Sequence, residues 1–104
     1  MIIPNNVEEI QEFVGKEATV FYFTAGWCPD CTFIKPFLPE IEAEFPEFTF
    51  VEVDRDKHMD LGIEWNIFGI PSFVVTKNGV EVGRLVNKAR KTKEEVSAFL
   101  KDLV

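Results

Sequence analysis

Two cysteines, one histidine and one tyrosine are present among 104 residues, and no apolar run approaches the length that crosses a membrane. Basic residues are also few, with 11 Lys and Arg against 18 Asp and Glu, which gives a formal net charge of −7. Without a basic patch to displace counterions, binding to nucleic acid or to an anionic membrane is not expected. The shortage of His and Cys excludes a four-ligand zinc site within one chain unless carboxylates or a second subunit contribute.

The first six residues contain no basic segment followed by an apolar one, so no signal peptide is predicted. We therefore expect a cytoplasmic protein whose thiols are normally kept reduced. Internal repeats, low-complexity tracts and linkers are lacking as well. With 46% apolar residues, including eleven phenylalanines, the chain can form a compact core, and we expect residues 1–104 to fold as a single monomeric domain.

Apolar periodicity divides the chain into alternating helices and strands. Local signals mark where these elements start, bend and stop. Asn6 and Thr92 are each followed three residues later by glutamate, which predicts capped helix starts. Pro36 predicts a kink, Gly62 an interruption, and Asn78-Gly79 a hairpin turn. Helices are predicted at 7–14, 28–45, 56–65 and from 92 onwards, and strands at 18–24, 48–54, 72–76 and 80–86.

This order of elements predicts an α/β fold. Consecutive βαβ units connect parallel strands through right-handed crossovers, and the final hairpin adds an antiparallel pair. Residues 2–3 are a candidate edge strand. The expected architecture is a mixed central β-sheet flanked by helices on both faces.

Both cysteines lie in the segment Trp-Cys-Pro-Asp-Cys at 27–31, between a predicted strand and a predicted helix. Cys28 is therefore placed where a helix begins, and the free N–H groups and helix dipole there stabilise its thiolate. Pro29 suits the first helical position. Cys31 follows one turn later on the same face, close enough to attack a mixed disulfide on Cys28. Redox chemistry is the favoured interpretation, and metal binding or inert structural cysteines are the alternatives.

Three separated features of the chain resemble the thioredoxin family. The first is residues 25–31, which are similar to the family's redox loop, with Pro36 at the position of the family's helix kink. The second is Gly-Ile-Pro-Ser at 69–72, which resembles the loop that carries a cis-proline opposite the cysteines. The third is Lys-Asn-Gly at 77–79, which resembles the last hairpin. The resemblance covers nearly the whole chain and implies the thioredoxin fold.

The resemblance also implies a function. It predicts a thiol–disulfide oxidoreductase that reduces protein or small-molecule disulfides through a Cys28/Cys31 dithiol–disulfide cycle, with no cofactor of its own. A thioredoxin reductase, an NADPH-dependent flavoprotein, would supply electrons. Attack is expected through an exposed Cys28 sulfur. The residues expected to contact the substrate are Trp27, Pro29, Asp30, Ile70 and Pro71.

Five positions depart from the family pattern. The residues between the cysteines are Pro-Asp rather than Gly-Pro, and the charge of Asp30 opposes a second anion nearby. Tyr22 stands where thioredoxins usually bury an aspartate that assists proton transfer at the second cysteine, and Phe50 lies near the place of its lysine partner. Tyrosine is a poor base, because its unperturbed pKa is about 10. Asn87 replaces a glycine on the loop that faces the substrate, which predicts a narrower or more polar groove.

The remaining candidate residues are interpreted as structural. Trp65 is expected to pack in or at the edge of the core, whereas His58 and the cationic segment 88–93 are expected to be solvated. Two other functions stay open. One is a thioredoxin-like binding module without redox turnover, and the other is a metal- or cluster-bridged dimer that uses both cysteines of each chain.

Overall fold

The computed structural model describes residues 1–104. The protein consists of a four-stranded mixed sheet with helices on both faces, which confirms the predicted fold class. None of its helices is long and apolar enough to cross a membrane. The helices are α1 (Val7–Val14), α2 (Pro29–Ile34), α3 (Leu38–Glu44), α4 (Met59–Glu64) and α5 (Lys93–Lys101). The strands are β1 (Thr19–Thr24), β2 (Thr49–Asp54), β3 (Ser72–Lys77) and β4 (Val80–Leu85).

The strands are ordered β2-β1-β3-β4, and only β1 and β2 are parallel. The expectation that successive crossovers make β3 parallel as well was wrong, because β3 runs antiparallel to β1. The chain turns back at the edge where β2 ends, since Asp54 is paired with Thr24 and Ser72 starts β3 opposite Phe23. The alternation of side chains along a strand is the same in either direction, so the sequence pattern did not distinguish the two. Ile2 adds a single parallel bridge to Val51 at the outer edge.

The local signals for helix starts and for the hairpin are confirmed. The side chain of Asn6 accepts a hydrogen bond from the Glu9 N–H at 2.9 Å, and Thr92 does the same for Glu95 at 3.1 Å. Both arrangements satisfy N–H groups that a helix start leaves free. Asn78 and Gly79 adopt φ values of 51° and 87°, which produce the tight turn between β3 and β4.

The predicted helix from 28 to 45 is divided at the expected proline. Helix α2 ends at Ile34, Pro36 lies in a 3₁₀ turn over Lys35–Phe37, and α3 follows directly. A proline ring clashes with the preceding turn, which accounts for this break. Gly62, by contrast, does not interrupt α4. The helix continues to Glu64 and ends before Asn66, whose φ is 57°.

Alternate residues of the strands face two separate layers of helices. On one face, Phe21, Phe23 and Val53 pack with α1 and α4, and Trp65 packs edge-on against both phenylalanines, as expected for a core residue. On the other face, strand residues pack with α2, α3 and α5. His58 was expected to be solvated, and this was wrong, since only 8% of it is exposed. Its backbone bonds both to β2 and into α4, which holds it inside the turn.

Candidate active site

One edge of the sheet brings the cysteines and the proline loop together. Thr24 at the end of β1 is paired with Asp54 at the end of β2, and Phe23 is paired with Ser72 at the start of β3. The cysteine segment follows β1 directly, and Pro71 immediately precedes β3. Two segments that are about 40 residues apart in sequence therefore meet at the same place.

Cys28 is the N-cap of α2, as the sequence predicted. Its Sγ accepts a hydrogen bond from the backbone N–H of Cys31 at 3.1 Å and lies 3.9 Å from the carbonyl oxygen of Ile70. Pro29 occupies the first turn of the helix, and the Ile70–Pro71 peptide bond is cis. Both cysteines are free thiols. The geometry places an anion-stabilising helix start and the proline loop on either side of one sulfur.

Cys28 is less accessible than expected, with 4% of its surface exposed. The neighbouring Trp27 is 60% exposed. Its indole Nε1–H donates to Asp56 at 2.8 Å, and the Arg55 guanidinium lies 5.1 Å from the ring centroid. These two contacts hold the indole at the surface, next to the cysteine in the sequence.

Cys31 is buried behind Cys28. The pKa of the Cys31 thiol is raised to about 11, chiefly by burial and to a smaller extent by its hydrogen bond with Cys28. A hydrogen bond with the Thr24 side chain and one with the Ala25 backbone lower the pKa, because they stabilise the anion. Thr24 is thus the one side chain that favours ionisation of Cys31 through a hydrogen bond.

Tyr22 reaches this group from the middle of β1. Its hydroxyl donates to Thr24 Oγ1 at 3.2 Å and lies 3.5 Å from the backbone oxygen of Cys31. Burial raises the pKa of Tyr22 above its usual value near 10. Tyr22 therefore stays protonated and acts as a hydrogen-bond donor, in agreement with the sequence argument that it is a poor base.

A polar cavity of about 180 Å³ opens beside Cys31. Sequence reasoning missed Glu52, Asp54 and Lys35, which line it together with Tyr22, Thr24 and Cys31. Glu52 is paired with Tyr22 in the sheet, and it is the only charged residue within an otherwise apolar run of β2. That isolated carboxylate between Val51 and Val53 was the signal available in the sequence. The cavity thus has the buried thiol and the ionisable groups of Glu52, Asp54 and Lys35 in its lining.

Comparison with known proteins identifies the family. A family model described as thioredoxin matches residues 2–102. The chain belongs to the thioredoxin family. It is 38% identical to thioredoxin H-type 1 from Nicotiana tabacum, and the match covers 79% of this chain and 69% of that protein. It is 43% identical to a thioredoxin H-type from Fagopyrum esculentum, where the match covers 69% of this chain and 61% of that protein.

The fold comparison agrees with the sequence comparison. The crystal structure of thioredoxin from Trypanosoma brucei brucei has a TM-score of 0.89 at 24% identity, and the match covers 99% of this chain and 89% of that one. This likeness shows the shared fold. Membership of the thioredoxin family supports a thiol–disulfide oxidoreductase role in general terms. The chain spans only about two thirds of the length of the two plant thioredoxins.

Residues 87–91, which we call the basic loop, lie against the start of α2 and against Gly69. Arg90 Nε donates to Asp30 Oδ1 at 3.0 Å, and its guanidinium lies 4.3 Å from the ring centroid of Phe33 in α2. The carboxylate between the two cysteines is therefore paired with a cation, which offsets its effect on a nearby thiolate.

The expectation that this cationic segment is a solvated turn was wrong for Lys91, which is fully buried. Its Nζ donates to the carbonyl oxygens of Asn87 at 2.8 Å and Ala89 at 2.7 Å. These bonds satisfy the ammonium group inside the loop, which explains how a lysine can be buried here without a carboxylate partner. Burial lowers the pKa of Lys91.

Asn87, which the sequence predicted to make the groove narrower or more polar, stands at the start of the basic loop. Its side chain accepts a hydrogen bond from the Ala89 N–H at 2.9 Å and so shapes the basic loop. Its backbone lies against Gly69, where a Cβ would come within 2.3 Å of the Asn87 oxygen. The basic loop is thus in direct contact with the segment that leads to Ile70 and Pro71.

Proposed function

We propose that this chain is a thiol–disulfide oxidoreductase that reduces protein or small-molecule disulfides through a cycle of Cys28 and Cys31. The observation that carries the proposal is the position of the Cys28 sulfur, which caps α2 and lies 3.9 Å from the Ile70 oxygen beside the cis-proline. Cys31 stands one turn behind it. In this proposal the Cys28 sulfur attacks the substrate, and the Cys31 sulfur acts in the second step.

The reaction takes two exchanges. The Cys28 thiolate attacks one sulfur of the substrate disulfide, which forms a mixed disulfide and releases the other substrate sulfur as a thiolate that takes up a proton. Cys31 then loses its proton and attacks Cys28. The mixed disulfide breaks, the second substrate thiol leaves, and a Cys28–Cys31 disulfide forms. Two electrons have passed from the protein to the substrate.

Residues around Cys28 would hold the substrate. The backbone of Ile70 offers hydrogen-bonding groups to an extended chain, a form of strand addition. Pro71 leaves no N–H at the next position, and the exposed indole of Trp27 covers the approach. Pro29 and Asp30 lie on the far side of the sulfur at the start of α2. The substrate would pass between these two walls.

The second exchange requires a proton to leave Cys31. Asp30 is engaged by Arg90, and Tyr22 remains protonated, so neither accepts it readily. We assign the exit to the polar cavity beside the thiol, where Glu52 is a carboxylate able to receive the proton through water. Thr24 lowers the barrier by hydrogen bonding to the thiolate.

Replacing Thr24 with valine should slow this second exchange. Loss of the hydroxyl destabilises the thiolate, so the pKa of Cys31 rises further above its ordinary value, by roughly one unit. Near neutral pH the rate should then fall about tenfold, and the pH profile of mixed-disulfide release should move upward. Thr32→Val is the control, because that hydroxyl lines the same cavity but bonds the Cys28 carbonyl instead. Equal profiles for both variants would remove Thr24 from the mechanism.

Turnover tests the proposal as a whole. The protein, mixed with an NADPH-dependent thioredoxin reductase and insulin, should make NADPH oxidation depend on its own concentration. No oxidation with any thioredoxin reductase tried, together with no insulin reduction by the protein reduced in advance with dithiothreitol, would contradict the proposal. A cytoplasmic location stays a prediction from the sequence.

The binding-module alternative is favoured by one observation, the 4% exposure of Cys28. A module would capture its partner without exchange, so capture would survive replacement of both cysteines by serine. The oxidoreductase would instead lose both turnover and covalent capture in that variant. The two functions therefore predict opposite results from one pull-down and one insulin assay.

A further inference from the structure

The basic loop is the most cationic segment of an acidic protein. Its residues 87–91 carry Lys88, Arg90 and Lys91 and no carboxylate, although the whole chain has a net charge of −7. The loop touches both walls of the site, since Asn87 lies against Gly69 and Arg90 contacts α2. Positive charge is therefore concentrated where a substrate would pass.

Within the loop, the cations have separate roles. Lys91 is buried, forms no ion pair, and ties the loop together through two carbonyl oxygens. Arg90 is 53% exposed in its side chain and uses only Nε toward Asp30. Its two terminal nitrogens have no hydrogen-bond partner in the chain. Stacking on Phe33 and the bond to Asp30 fix the guanidinium plane before any partner arrives.

We propose that Arg90 selects disulfide substrates with acidic residues beside the attacked cysteine. A carboxylate on a docked chain can accept two hydrogen bonds from the free terminal nitrogens, and the neighbouring charges of Lys88 and Lys91 attract it to the site. Asp30 pairs with Nε of Arg90, and Glu95 lies near Lys91. These two carboxylates offset part of the positive charge of the basic loop. The three cations still exceed these two carboxylates. This inference rests on the proposed oxidoreductase function and adds its substrate class.

The test uses two peptide disulfides that are identical except for glutamate or lysine on both sides of the cysteines. The protein is reduced in advance and mixed with excess peptide, and released peptide thiol gives the second-order rate constant for each. The readout is the ratio of the glutamate rate to the lysine rate, because a change in the intrinsic reactivity of Cys28 cancels in that ratio. Arg90→Glu should lower the ratio about tenfold.

Lys101→Glu is the matched control, since it changes the net charge equally at the far end of α5. It should alter the ratio less than about twofold, because solvent and salt screen distant charges. Arg90→Lys should give an intermediate ratio. Equal changes for Arg90→Glu and Lys101→Glu, or no change for either, would overturn the assignment to Arg90. Failure of the wild type to reduce either peptide would instead overturn the oxidoreductase proposal, and the inference with it.

Discussion

Cys28→Ser should abolish disulfide reduction, with a fall in rate of about a thousandfold or more. Serine is close to cysteine in size, so the capped start of α2 should persist. Its hydroxyl does not ionise near neutral pH, however, and it forms no disulfide with a substrate. The expected result is a folded protein that gives no insulin reduction with a thioredoxin reductase and NADPH. Full wild-type turnover in this variant would show that the nucleophile is assigned to the wrong sulfur.

Cys31→Ser is the matched comparison, because it removes the second exchange and leaves the first. It should accumulate mixed disulfides on Cys28, which mass spectrometry of captured proteins would detect and reductant would release. The Cys28→Ser variant should capture none by this route. If Cys31→Ser collected no more protein than Cys28→Ser, the order of the two cysteines in the mechanism would be wrong.

Elements whose structure depends on neighbouring residues could be predicted from the sequence. The caps at Asn6 and Thr92, the break at Pro36 and the turn at Asn78-Gly79 each follow from a backbone requirement within a few residues. The position of the cysteine segment at 27–31 could also be predicted, since it depends only on a preceding strand, a helix start and a proline in the first turn. These signals were sufficient to locate one half of the candidate site.

Features that depend on contacts between distant segments of the chain could not be predicted from the sequence. The direction of β3 is one such feature, because the hydrophobic pattern of a strand is the same in either direction. Lys91 is charged, and only the folded loop supplies the two carbonyl oxygens that make its burial possible. Glu52 gave a signal as a carboxylate between two valines of β2, but its closeness to Cys31 follows only from the sheet register and the cavity.

Gly69→Ala should damage both stability and substrate selection, because a Cβ there meets backbone rather than a movable side chain. The added carbon would lie 2.3 Å from the Asn87 oxygen and 2.8 Å from the Lys88 nitrogen. Relieving this overlap requires the basic loop to move away from residues 69–71. We expect a loss of about 1–3 kcal/mol in the free energy of unfolding, measured by urea denaturation. The displaced loop should also carry Arg90 away from its fixed position, which lowers the preference for acidic peptide disulfides.

Gly26→Ala provides the control for this prediction, since Gly26 also lies beside the cysteines but has nothing within 4 Å of an added Cβ. Neither glycine has a positive φ, so alanine meets no backbone strain at either position and the difference between them isolates the contact with the basic loop. Gly26→Ala should be neutral or more stable by roughly 0.5 kcal/mol, because alanine restricts the unfolded chain. If the two variants unfolded at the same urea concentration and reduced the acidic and basic peptides in the same ratio, the contact between Gly69 and the basic loop would have no part in holding the site together.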